Sequence, residues 1–328
     1  MRNVWEYKPY FMSWLPAFVC LVVLTVSAQG ANLKVRCGAT SALPTINRAL
    51  RLLDPQGPNT VTVSGTCKEN VLIQGFNRLT LISTTGATIN DASGGTGFVV
   101  DIEDSTDIVL QGFTINGGVL GVLCSNFSVC RFNGNTFQGA SVGGIQLVQS
   151  RAWFGANTIQ NNGNGLVVAE SSSARSSGGL LIQQNLGTGV DVDTNGSFAS
   201  FGDTIQNNAG DGIGAYNHGF LLLLGTTITG NSGQGVAVLG QSAADFEVNN
   251  VVTGNGFDGV LVRDLSYAEF RGANTITGNL ILDVECQSQF PVSRGALTNI
   301  GGGTTDCTEP TAPAVGREVH GQVRKPVR

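Results

Sequence analysis

Charge is what this chain has least of. Asp, Glu, Lys and Arg make up 12% of its 328 residues, about half the usual share. Positive charge is scarcest, since from Phe132 to Val262 the only basic residues are Arg151 and Arg175. Between Gln29 and Cys307, 12 Lys and Arg face 20 Asp and Glu. Nucleic acid demands the opposite balance and is excluded as a partner. Histidine is limited to His218 and His320, so any imidazole-dependent step in the folded body has to use His218. No CxxC pair with an accompanying His is present, which leaves the usual zinc frames without support. Helical spacing is missing from every ten-residue window between Asn135 and Asn279.

What the chain has instead is one phrase, repeated. Copies such as NTIQNN at 157, DTIQNN at 203 and NTITGN at 274 set an apolar anchor at Phe137, Ile159, Ile182, Ile205, Ile228, Val252 and Ile276. The spacing stays between 22 and 24 residues, and a period in the twenties held over several copies marks a solenoid. A Gly follows each of the first six anchors, at Gly144, Gly165, Gly189, Gly212, Gly235 and Gly259, and then a short alternating run such as Val190/Val192. Gly before period-two β-branched residues reads as a turn and a strand. The L-x-x-L-x-L frame of leucine-rich repeats is missing, as is the Asp of calcium-binding nonapeptide repeats. A coil of roughly 23 residues at ~3.3 Å each has a perimeter of about 75 Å, enough for three strands and their corners. The expected fold is therefore all-β, a single-stranded right-handed parallel β-helix. Three residues after the anchors stand Asn162, Asn185, Asn208, Asn231, Asn255 and Asn279. Stacked at one corner, each can bond its own turn and the Asn of the next rung, a structural ladder.

The ends differ from the body. Residues 1–28 fit a secretory signal, with Arg2 and Lys8 ahead of an apolar run and Val26-Ser27-Ala28 as a cleavage site. That run is too short for a comfortable membrane span, and a secreted location follows. Six cysteines remain after cleavage: Cys37, Cys67, Cys124, Cys130, Cys286 and Cys307. Six allow 15 connectivities, of which proximity favours Cys37–Cys67, Cys124–Cys130 and Cys286–Cys307. The pattern predicts one helix over Pro44–Leu53, with Ile46, Ala49, Leu50 and Leu53 on one face, laid as a cap across the open end. The N-cap would cover 33–66 and the regular coils about 67–285 of a domain spanning 29–307. Residues 308–328 lack periodicity and read as disordered.

The segments LPTINRAL, NTVTVSGTCKENVLIQGFNRLTLIS and GATIND, followed by DIVLQGFTINGG, resemble the opening of the pectin-lyase-like superfamily and its β-helix repeats. The resemblance covers about residues 33–290. It implies the parallel β-helix and a setting among lyases, hydrolases, esterases, epimerases and adhesins. The polygalacturonase signatures NTD, DD, GHG and RIK are absent as a set, with Asn217-His218-Gly219 a faint echo of one.

Enzymes of that superfamily carry acids and a base on the outward face of one sheet. Reading outward positions rung by rung, one rung holds two carboxylates, Asp191 and Asp193, with Glu170 at the corner below and Tyr216, Asn217 and His218 above. Glu170, Asp191 and Asp193 are candidate Ca²⁺ ligands. Asp191 and Asp193 are alternatively a catalytic acid/base pair assisted by His218. Tyr216 would stack a sugar ring, with Asn217 beside it in the substrate site. The competing reading makes all of them solvated face and turn residues, and Arg263 lies three rungs from Asp193, about 14 Å away. Asp211 and Asp258 read as turn punctuation before glycines. Asp101, Glu103, Asp104 and Asp107 form a solvated acidic patch or a second metal site. Outward Val167, Ala237 and Leu261 admit a docked partner. Segments such as ESSSARSSGG at 170 and RDLSYAEF at 263 read as variable corners. Two functions stay open: a secreted polysaccharide-binding or matrix protein, and a polysaccharide lyase, hydrolase or epimerase.

Overall fold

The computed structural model describes residues 30–310 apart from 39, 289, 290, 293 and 294. The expected signal 1–28 and residues 311–328 of the expected tail lie outside the described residues. Alternating β-branched residues form short strands, each paired in parallel with the strand one coil away. A representative coil runs through Gly143–Val148, Arg151–Phe154 and Thr158–Gln160, then restarts at Asn164–Ala169. We call the stack containing Arg151–Phe154 the first sheet, that containing Thr158–Gln160 the second, and that containing Gly143–Val148 the third. Asn59–Lys68 pairs in both the first and the second, and the third holds ten strands. The architecture is a right-handed parallel β-helix of about ten turns.

The bore is apolar throughout. All seven anchors are fully buried, and each side chain so placed contributes about 1.5–3 kcal/mol. Phenylalanines fill the inner side of the first sheet: Phe132 and Phe154 lie 5.3 Å apart, Phe246 and Phe270 4.8 Å.

The corners are held by stacked polar side chains. Between the second and third sheets, Asn185 Oδ1 accepts from Asn162 N and Nδ2 at 3.0 and 3.1 Å, and the pattern passes through Asn208, Asn231 and Asn255 to Asn279. It ends on Asp283, which accepts from Asn279 N and Nδ2, both at 3.0 Å. Between the third and first sheets the Ser128, Ser150 and Ser172 hydroxyls accept from the backbone N of Ser105, Ser128 and Ser150.

The helix is shorter than the sequence predicts, Ile46–Leu50 rather than Pro44–Leu53. Thr45 caps it through Oγ1, while the Glu69 carboxylate accepts from Ile46 N and Asn47 N at 2.7 and 3.0 Å. The presumed variable corners are also different: each contains a strand of the first sheet, at Ser173–Ser176, Ser197–Phe201, Phe220–Leu224, Ala243–Phe246 and Tyr267–Phe270. Three disulfides join Cys37–Cys67, Cys124–Cys130 and Cys286–Cys307, pinning the first coil, one corner and the last coil.

Candidate functional site on the third sheet

The middle residue of each short strand in the third sheet points away from the bore. Parallel register aligns these residues in one column: Leu72, Asp101, Leu123, Gln146, Val167, Asp191, Gly214, Ala237, Leu261 and Glu285. Asp191 therefore sits against Gly214 of the next rung. Gly214 has no side chain, and the Tyr216 ring occupies the space that a Cβ there would need. The ring crosses the strand, and its hydroxyl donates to Asp211 Oδ2 at 3.0 Å. Asp211 Oδ1 accepts from Gln234 N at 2.7 Å. Asp193 Oδ1 accepts from Thr194 N at 2.7 Å and from Asn217 Nδ2 at 2.8 Å.

Asp191 differs from Asp193 and Asp211 and shares its state with Asp101 of the same column. Its Oδ1 is buried and accepts no hydrogen bond among the described residues. Burial, followed by repulsion from Asp193 and Asp211, raises its carboxyl to about 6. Burial also raises Asp211, against the hydrogen bonds from Gln234 and Tyr216, and burial with the Asp211 charge raises Tyr216. A carboxyl whose pKa burial has raised can carry a proton at mildly acidic pH, the state that a general acid needs.

The structure brings Asp191, Asp193, Tyr216 and Asn217 together and adds Asp211, which by sequence alone reads as turn punctuation. The signal for Asp211 was a Tyr five residues downstream with an intervening Gly in register with Asp191. Glu170 does not join them; it lines a recess with Phe127 and Arg151. The ligand atoms of Glu170, Asp191 and Asp193 do not all lie within 4.8 Å of one another, so the cation trio is not assembled. Among the described residues only Cys37, Cys67 and Glu69 place potential ligand atoms within 4.8 Å of one another, and there the sulfurs form a disulfide while Glu69 caps the helix. His218 occupies an exposed corner at φ 67°, and its imidazole makes no hydrogen bond or salt bridge among the described residues.

Other expectations change as well. Ala237 and Leu261 are 1% and 7% exposed and offer no docking surface. Asp258 continues an edge ladder, with its N donating to Gln234 Oε1 and its Oδ1 accepting from Leu282 N. The acidic patch is dispersed: Asp107 pairs with Arg131 at 2.8 Å, and Asp101 is half-buried and raised to about 6 by burial and then Glu103.

Three stacked parallel sheets with ladder-bonded corners make this a parallel β-helix of the pectin-lyase-like fold. In solved structures, this chain is similar to pectate lyase Pel9A (14% identity, TM-score 0.55, covering 87% of this chain and 82% of that one). It is also similar to ORF18 of Geobacillus virus E2 (12% identity, TM-score 0.58, covering 80% of this chain and 58% of that one). An alginate lyase from Paenibacillus sp. str. FPU-7 aligns at 15% identity and a TM-score of 0.41, over 79% of this chain and 99% of that one. No family model and no curated protein sequence matches the chain.

Proposed function

We propose that this is a secreted β-helix protein that binds a neutral, hydroxyl-rich polysaccharide along the outer face of the third sheet. The observation that carries the reading is Asp191, whose buried acceptor lacks a donor and lies near two further carboxylates and a tyrosine. A row of acceptors suits sugar hydroxyls, which donate, and repels an anionic chain. The part-exposed Tyr216 ring supplies an apolar face for a pyranose, and Asn217 holds Asp193 in place. The fold shared with a pectate lyase supports a carbohydrate ligand, and three disulfides suit an oxidising compartment.

One observation favours a second reading, cleavage of that polysaccharide. A carboxyl raised to about 6 with further carboxyls beside it resembles the pairing that glycosidic hydrolysis uses, with Asp191 as general acid and Asp193 or Asp211 as base. Incubation with neutral and acidic polysaccharides, with and without EDTA, separates the two. Retention on a neutral glycan without product makes the protein a binder, and new reducing or unsaturated ends make it an enzyme. Asp191→Asn should weaken retention or abolish product. Neither retention nor product across the panel, or an Asp191→Asn variant that behaves as wild type, would end both readings.

A further inference from the structure

The third sheet is acidic, but the opposite charge is concentrated elsewhere. We infer that the outer face of the first sheet carries a second glycan-binding site, centred on Arg151, for a chain bearing carboxylate or sulfate groups.

Register aligns Arg131, Trp153 and Arg175 in one outward column of three successive rungs, about 4.8 Å apart. Arg151 stands two residues before Trp153 on the same exposed side of its strand. Trp153 is 39% exposed and is the only tryptophan between residues 30 and 310. Each neighbouring cation is positioned: Arg131 lies 5.1 Å from the indole centroid and is tethered to Asp107 at 2.8 Å, while Arg175 lies 4.6 Å from the Phe201 ring centroid. Among the described residues, neither Arg151 nor Arg175 has a carboxylate within salt-bridge distance.

At the adjoining corner Arg151 also lines a recess of about 580 Å³ with Gln149, Glu170 and Phe127, the last 78% exposed. Aromatic faces receive pyranose rings, the fixed forks of Arg bind planar or tetrahedral anions, and Glu170 accepts from hydroxyls. In a body where acids outnumber bases, unpaired arginines beside exposed aromatics give charge complementarity to one kind of polymer, a polyanionic glycan. This site does not rest on the third-sheet reading.

Affinity electrophoresis in polygalacturonate, dextran sulfate and neutral dextran tests it. Retardation is expected with one or both polyanions, weakening with added salt; any retardation by dextran belongs to the third sheet and should be insensitive to salt. Binding only to polygalacturonate assigns the group as carboxylate, and only to dextran sulfate as sulfate ester. The double variant Arg151→Ala/Arg175→Ala should lose affinity at least about tenfold, while Arg151→Lys/Arg175→Lys retains part of it. Asp191→Asn should leave polyanion retardation unchanged. The exposed positions leave the core intact, which circular dichroism checks. Migration unaffected by either polyanion, polyanion retardation that added salt does not weaken, or a double-Ala variant that binds the polyanions like wild type would overturn the proposal.

Discussion

At the scale of single residues, the candidate site depends on an absence. Gly214 lacks the Cβ that would strike the Tyr216 ring, so the ring can lie across the strand and reach Asp211. Gly214→Ala should push the ring out and break the Tyr216–Asp211 hydrogen bond. The expected loss is about 1–3 kcal/mol, which is a melting temperature lower by a few degrees. Tyr216→Phe should lose less, because the ring stays in place and only the hydroxyl bond goes. A Gly214→Ala protein that melts with wild type would mean the ring does not need that space. Asp211 was not legible from its own letters, since Asp before Gly is a common turn. Its role emerges only when the register sets Gly214 beside Asp191 and frees a path for the tyrosine.

At the scale of elements, the corners hold the coil to its period. Asn231 donates from Nδ2 to Asn255 Oδ1 at 3.0 Å and to Ile205 O at 3.3 Å, while its Oδ1 accepts from Asn208 N and Nδ2. Asn231→Ala takes the side-chain acceptor from the buried Asn208 N and Nδ2 and one of two donors from Asn255 Oδ1. It should therefore cost about 1–3 kcal/mol, seen as a lower midpoint in urea at unchanged m-value. A midpoint equal to wild type would remove the ladder from the account of stability. This column was legible because one geometry recurs at every coil and only Asn serves it, so the letter repeats with the period. The first-sheet strands were hidden for the converse reason. Their inward residues Ala174, Phe198, Leu221, Ala244 and Ala268 differ in size from rung to rung, so no consensus marks them and ESSSARSSGG looks like a loop. The serine corner was missed because Gly196 and Gly219 interrupt it at the two rungs beside the acidic site.

At the scale of the whole molecule, the carboxyl groups set an acidic optimum of stability. Asp101, Asp191 and Asp258 are each raised from 3.8 to about 6, with burial the first cause in every case. Between about pH 4 and 6 the unfolded chain has released these protons and the folded chain still holds them, so the folded state binds more protons and stability falls as pH rises. Their contribution is complete below 3.8 and gone once the pH passes about 6. Asp91 and Asp283 act in the other direction. Hydrogen bonds from Ser93, Asn70 and Gly95 outweigh burial at Asp91, and bonds from Asn279 and Thr304 do so at Asp283, holding both below the usual range. These two stabilise above about pH 4 and lose that contribution as pH falls further. The opposing slopes meet near pH 4–5, and the excess of acids over bases adds self-repulsion on the neutral side. Calorimetry of the disulfide-intact protein from pH 3 to 8 should show the highest melting temperature in that interval. Asp191→Asn, which cannot ionise, should flatten part of the decline toward pH 8 and melt above wild type there. A melting temperature that rises steadily from pH 5 to 8 would show that these carboxyls are solvated and that the outward column of the third sheet is ordinary surface.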